Sequence, residues 1–533
     1  MKASRWAATA FLAAAPLLHD GTPLAGQLIP ADPQISPDGR WVAYIVHDVD
    51  EETGEAYSNL ALVATGSRRT DRLTDGLRID RTPRFSPDSR SLAWVTFVDG
   101  FWELRVRTLD TRQTRELAVG SQPHGGIAWS PQGDRIAYTR LVRQFDEETG
   151  PVHLFTVSPT GGRPSRISRE GFHSGGIELG THLSWTPEGD AIVLAANPGG
   201  DLQLYEISIA TGIERVLAAH RGPDRDPAIS PDGQFVAYTG HGGLPDEGIP
   251  DRLFVAERVG VAFPRVLSRT VEHSVRHPAW TADGGSIFAI IEGPRVDRLA
   301  LFRIDGSYRI VADSLDRPAD VLGETWIGSE RFSVTADSVY PKFAVTTSHP
   351  DRPPEVGVGG NQLTNPVRAL SSLNSALADR GLPELEEIGD ADAPPLGWAL
   401  RPADAGLEAP AAIVDLRTDG VTSPARFDMT RQALVAAGYV VLIPAADESG
   451  GNAAMIANAA ALGWIDPNRV FGLGSHTGTG QIDISPRPVE PDSPFRAIID
   501  WGEASFERTA ARIDDTLEWL TRQDSENESG GAS

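Results

Sequence analysis

One phrase returns along this chain at near-regular intervals, and it constrains the fold more than any other feature. It reads SPDGRWVAY at Ser36 to Tyr44, SPDSRSLAW at Ser86 to Trp94, SPQGDRIAY at Ser130 to Tyr138, TPEGDAIVL at Thr186 to Leu194, SPDGQFVAY at Ser230 to Tyr238 and TADGGSIFA at Thr281 to Ala289. Successive copies start 50, 44, 56, 44 and 51 residues apart, and a worn seventh, IGSERFSVT at Ile327 to Thr335, starts 46 residues after the sixth. Proline at the second position presets φ for a turn, aspartate bonds back to the backbone, and glycine accepts the exit geometry. The β-branched, aromatic and small residues that follow suit a buried strand. Strands returning at this period indicate propeller blades, since a solenoid would need helices. The spacing predicts a seven-bladed β-propeller over residues 29–361, with Trp41, Trp94, Trp129, Trp185 and Trp280 in its core.

Beyond residue 361 the pattern changes. A polar connector over residues 362–395 leads to a second domain, 396–523, in which strand and helix patterns alternate. The strand candidates are Ala411 to Leu416, Tyr439 to Pro444, Arg469 to Gly474 and Arg496 to Trp501; the helical ones are Phe427 to Ala437, Asn452 to Gly463 and Phe506 to Arg522. Alternation at this spacing implies a parallel sheet. Residues 524–533, DSENESGGAS, are low in complexity and read as a disordered tail.

The 533-residue chain is long enough for two domains, and its formal net charge of −25 repels nucleic acid. It has no cysteine, which excludes disulfides and thiolate chemistry within this sequence. Lys2 and Arg5 precede an apolar run from Trp6 to Leu18, the layout of a secretory signal, so residues 1–28 predict export to the periplasm or beyond and a mature form outside the membrane. No cofactor is expected. The repeated DEETG at Asp50 and Asp146 reads as two solvated hairpin tips and not a calcium ladder, and VGVGG at Val356 lacks the helix of a dinucleotide fingerprint.

A propeller followed by an α/β sheet, with LPELEEI and GWALRP at the join, resembles the prolyl oligopeptidase family of serine peptidases in its acylaminoacyl-peptidase and dipeptidyl-peptidase-like branch. The resemblance covers nearly the whole chain and is most specific in the blade phrases, which are similar to TolB or WD40 blades, in ALVAAGYVVLIP (Ala433 to Pro444), and in GWIDPNRVFGLG (Gly463 to Gly474). It implies a propeller capping an α/β-hydrolase domain with a Ser-Asp-His triad and peptide substrates.

The stretch GLGSHTGTG lies where the family has its nucleophile elbow. That turn needs glycine two residues before and two after the nucleophile, because neighbouring backbone leaves no room for side chains. Gly474 and Gly478 flank His476, with Ser475 one place early and Thr477 one place late. The family's oxyanion turn corresponds in position to LRTDG (Leu416 to Gly420), which keeps one glycine. Pro486, Pro488 and Pro491 interrupt the helix expected after an elbow. No histidine follows His476, whereas this fold orders its triad as serine, acid, histidine. These features predict a truncated, degenerate hydrolase domain with no catalytic, cofactor or metal site, and with a peptide ligand in the propeller channel or between the domains. A second reading is a working serine hydrolase using Ser475 or Ser449 with a propeller histidine such as His124 or His241. A third is a decayed gene product. The sequence assigns no oligomeric state.

Overall fold

The computed structural model describes residues 28–50, 53, 56–122, 124–142, 151–169, 182–197, 202–218, 223–241, 249–260, 263–293, 296–315, 331–335, 340–349, 352–360, 367–378, 382–383, 385–389, 396–402, 409–416, 428–445, 449–476 and 497–502. Residues 1–27 of the expected signal segment (1–28), the prolines Pro486, Pro488 and Pro491, the helix expected over Phe506 to Arg522 and the tail lie outside the described residues.

Each of the six phrases forms the same turn. The first hydroxyl donates to an acid and receives the amide of the incoming strand: Ser230 Oγ lies 2.6 Å from Asp232 Oδ1 and accepts from Phe235 N at 2.9 Å. The third position is Gln132 or Glu188 in two copies, and there the acid moves two places on, to Asp134 at 2.8 Å from Ser130 and Asp190 at 2.7 Å from Thr186. The fourth position is left-handed throughout, with φ of 70° at Gly39, 72° at Gly133, 74° at Gly189, 71° at Gly233 and 67° at Gly284. Ser89 adopts the same conformation at 62°, where a Cβ costs something that glycine does not.

The seven-bladed expectation fails. Counted as hydrogen-bonded sheets, the propeller has five blades: an eight-stranded sheet from Ile29 to Gly120, three four-stranded sheets, and a second eight-stranded sheet from Ser274 to Ala369. The nine-residue strand Ala56–Ala64 reaches the next inner strand, where Ser58 pairs with Ile79. Likewise Tyr308–Leu315 meets Lys342–His349 through Leu315 and Thr347. The worn phrase forms no separate sheet; its Phe332–Val334 strand joins Lys342–His349. Turn signals mark hairpins, but they do not encode how far a strand runs, and two long strands join neighbouring sheets.

Neighbouring sheets are stitched by the recurrent tryptophans. Trp129 Nε1 donates to the Arg84 carbonyl at 2.9 Å, Trp185 to Ala128 at 3.1 Å and Trp280 to Ala228 at 2.9 Å, each on the preceding inner strand. The ring closes without strand exchange among the described residues. Ile35, Val42, Tyr44 and Val46 pack against Ala344, Val356, Val358 and Leu370, while Asn374 brackets Leu28 with two 2.8 Å hydrogen bonds.

The C-terminal sheet has six strands where four were expected, and it is mixed where a parallel sheet was expected. Leu385–Ile388 and Gly397–Leu400 add antiparallel at one edge, followed in space by Val440–Pro444, Ala412–Asp415, Val470–His476 and Ala497–Gly502, which are mutually parallel. The two extra strands have four residues each, too few for alternation to register as a strand signal. Helices Met429–Ala436 and Ser449–Ala461 cover the faces. Gly397 is fixed by close approach, since a Cβ there would collide with Met455 Sδ and the Ile443 carbonyl oxygen.

Two propeller histidines couple the fold to pH. Burial, reinforced by the Arg81 charge, pushes His47 down to about 3. Burial and Arg140 outweigh the Gln122 carbonyl at His124 and take it down to about 4. Both are neutral in the fold and bind protons in the unfolded chain below about pH 6.5. Their stabilising contribution is therefore complete above that pH and is lost as pH falls toward the folded values. At about pH 5 each should cost the fold roughly 2 kcal/mol. Thermal melts of wild type and His47→Gln/His124→Gln are expected to show a smaller midpoint drop between neutral and mildly acidic pH in the variant, and equal drops would count against this assignment.

Candidate functional site

The elbow strand Val470–His476 lies between Ala412–Asp415 and Ala497–Gly502, both parallel to it. It continues two residues past Gly474, so that Ser475 pairs with Trp501 and His476 with Gly502 along the backbone. Thr477 and Gly478 lie outside the described residues. Ser449 opens the helix that follows Val440–Pro444, at the same carboxyl edge of the sheet, where ligands of open α/β sheets bind. Beside the elbow, Asp415 stands opposite Leu473 and bonds Arg431 Nε at 2.7 Å, with both side chains 1% exposed. Asp428 caps the helix that carries Arg431 by accepting from the Arg431 amide at 3.0 Å.

The histidines proposed as alternative bases are engaged in the propeller wall. His124 stacks on Tyr138 with ring centroids 5.5 Å apart, and its Nδ1 lies 2.9 Å from the Gln122 carbonyl. His241 Nε2 stands 3.8 Å from Asp251 Oδ1. The side chains of Ser475 and Ser449 lie outside the described part of the structure.

A different set of residues converges near the propeller axis. Four places before each phrase stand Asp32, Thr82, Gly126, His182, Asp226 and His277. Five of these have positive φ, at 48°, 49°, 44°, 51° and 52° for Asp32, Thr82, Gly126, Asp226 and His277. The register of their inner strands shifts there, as a β-bulge requires. The bulges re-aim side chains from one inner strand toward another. Arg84 Nη1 reaches Asp32 Oδ1 at 3.1 Å. On the other side, Asp226 Oδ1 lies 3.1 Å from His182 Nδ1 and 3.9 Å from His277 Nδ1, and the imidazole centroids are 5.1 Å apart. Asp226 Oδ2 accepts from Thr239 Oγ1 at 3.1 Å and from the His277 amide at 3.2 Å. Burial pushes the Asp226 carboxyl up, but the charge of His277 and the hydrogen bond and charge of His182 outweigh it, and the group is held far below the usual carboxylate range.

The sequence reading named no metal ligands, yet these three offer one ligand atom each within 4.8 Å of one another. They are 44 and 51 residues apart, beyond the reach of any local ligand motif. Their shared offset from the repeated phrase was the signal that could have found them.

The TolB β-propeller domain model matches residues 38–316, more than half of the sequence. The chain belongs to the TolB β-propeller family. It is also similar to peptidases. The uncharacterized peptidase YuxL of Bacillus subtilis is 25% identical over 211 residues, 39% of this chain and 29% of that one. Dipeptidyl-peptidase 5 of Porphyromonas endodontalis is 25% identical over 252 residues, 38% of this chain and 36% of the relative. The matched parts thus span little more than a third of these relatives at most. In fold, the acylaminoacyl peptidase of Pyrococcus horikoshii superposes with a TM-score of 0.63 at 15% identity, over 84% of this chain and 74% of the other. These relatives bear out the resemblance to the prolyl oligopeptidase family. Among the described residues no helix is long and apolar enough to cross a membrane.

The pair beside the elbow yields a stability test. Asp415→Ala leaves the Arg431 guanidinium charged and buried, and should cost about 3–5 kcal/mol. The double variant Asp415→Leu/Arg431→Met, which removes both charges, should recover most of that. Urea denaturation monitored by near-ultraviolet circular dichroism measures both, and a double variant no more stable than Asp415→Ala would contradict the pairing.

Proposed function

We propose that this chain is a peptide-binding homologue of the prolyl oligopeptidase family that does not hydrolyse its ligand. The observation that carries this reading is His476, framed by Gly474 and Gly478 at the position of the family's nucleophile. Acyl transfer through a serine begins when a base withdraws the hydroxyl proton and the oxygen attacks the carbonyl. An imidazole at that position has no hydroxyl oxygen to start that reaction. The LRTDG stretch keeps one glycine where the family has a glycine-rich oxyanion turn, which weakens the second requirement, donors aimed at the developing negative charge.

Support for binding comes from the propeller axis. The positions four before the phrases carry carboxylate, hydroxyl and imidazole groups, among them Asp32, which pairs with Arg84, and the His182, Asp226 and His277 group. Such polar groups match the termini and amides of a short peptide. The Lys2 to Leu18 segment supports a place in the cell envelope, reached by export. A lost nucleophile also fits a decayed gene product, and the binding measurement below separates the two.

Full-length protein incubated with a fluorophosphonate probe should remain unlabelled while an active prolyl oligopeptidase in the same tube is labelled. Labelling at Ser475 or Ser449 would instead establish the serine hydrolase reading. His476→Ser, which restores the elbow sequence, is expected to leave aminoacyl and prolyl chromogenic amides uncleaved above the uncatalysed rate. Calorimetric titration with free-amine and N-acetylated tripeptides should detect binding to wild type, and no heat with either class would remove the peptide-binding half of the proposal.

A further inference from the structure

His182, Asp226 and His277 form the one three-ligand group among the described residues, and their geometry is that of a metal site as much as of a hydrogen-bonded cluster. A tetrahedral divalent ion bound at about 2.0–2.1 Å holds its ligand atoms about 3.3 Å from one another. The carboxylate oxygen Asp226 Oδ1 already lies 3.1 Å and 3.9 Å from the two imidazole Nδ1 atoms. Its partner Oδ2 is turned away and held by Thr239 Oγ1 and the His277 amide, the kind of outer support that orients a ligating carboxylate. The side chains are 24%, 15% and 24% exposed for His182, Asp226 and His277, so the group is open to an ion from the channel without being a surface cluster.

Backbone geometry adds an independent observation. Asp226 and His277 sit at φ of 51° and 52°, a conformation that side chains other than glycine adopt at a cost. The equivalent position is Gly126 in one sheet, so the bulge itself needs no particular side chain. In three successive sheets the position four before the phrase nevertheless carries His, Asp and His, the last two on bulges, brought to one point by the rotation between blades.

We propose that His182, Asp226 and His277 bind a divalent first-row transition ion in the propeller channel, with a fourth coordination position left to water or to a ligand entering the channel. Two imidazoles and a carboxylate suit Zn²⁺, Fe²⁺ or Ni²⁺ and are a poor match for Ca²⁺ or Mg²⁺, which prefer all-oxygen shells. This inference does not depend on the peptide reading, because the three ligands are complete without one.

The test uses full-length protein stripped with a chelator and titrated with Zn²⁺ by calorimetry, with Ca²⁺ in a parallel titration. One equivalent of Zn²⁺ should bind to wild type, and binding should weaken at least about tenfold in Asp226→Asn and His277→Asn. Asparagine is chosen because it tolerates positive φ, so the bulges survive while the ligands are lost. Thr239→Val, which touches no ion, should weaken binding about tenfold through the freed Oδ2. Co²⁺ added to unaltered protein should give the ligand-field absorption of a four- or five-coordinate site. Equal Zn²⁺ uptake by wild type and both asparagine variants would assign the binding to other histidines and overturn the proposal. So would tight Ca²⁺ binding at the same site. If a variant fails to fold, the Co²⁺ spectrum of the unaltered protein decides: absence of those bands overturns the site as well.

Discussion

The hydrogen bond from the first hydroxyl of each repeat to its acid fixes the register on which the propeller axis depends. Ser36 to Asp38 at 2.7 Å, Ser86 to Asp88 at 2.6 Å and Thr281 to Asp283 at 2.6 Å are the same contact made in different hairpins. The same hydroxyl receives the amide of the incoming strand, so the hairpin cannot slip by one residue without losing both bonds. Because side chains alternate across a strand, a slip would exchange Val42, Tyr44 and Val46 with Ala43 and Ile45 between two differently shaped buried faces. A locked register also fixes what lies upstream. Four residues before the hydroxyl, five of the six inner strands bulge, which re-aims the side chain that stands there.

The second domain depends on a different device. Its central strands are apolar on both faces, with Ile413, Val441 and Phe471 in one cluster and Val414, Leu442 and Val470 in the other. Such packing fixes the sheet but offers few polar anchors at its carboxyl edge. Asp415 and Arg431 supply one there, joining the end of the first central strand to the helix that crosses the face. A charge pair this deep adds little net stability over a hydrophobic pair of the same volume, but either member alone would be costly. It therefore holds that helix in place beside the elbow strand more than it strengthens the domain.

Much of this was legible in the sequence, for physical reasons that can be named. All six turns are local and depend on residues within six positions of one another, so SPDG-like phrases located them. The four parallel strands were legible because Ala411 to Leu416, Tyr439 to Pro444 and their companions are continuous apolar runs bounded by turn residues. Leu385–Ile388 and Gly397–Leu400 were not, at four residues each; they become strands by pairing with each other and, for the second, with Val440–Pro444. The extension of the elbow strand through His476 was hidden for the same reason, since the pairing of Ser475 and His476 with Trp501 and Gly502 is supplied by a neighbour and not by their own propensity.

What the sequence by itself determined is periodic or local: repeated hairpins, an α/β half, the His476 frame and an acidic, cysteine-free surface. What only the tertiary structure decided is which repeats share a sheet and which side chains meet. Ser58 finds Ile79, and Leu315 finds Thr347, through strand lengths that no turn signal encodes. His182, Asp226 and His277 meet because three successive sheets bring the same offset from the phrase to one point, the last two on bulged strands. Sequence distance sets the entropy of closing such loops, but the rigid rotation between packed sheets sets where their side chains arrive.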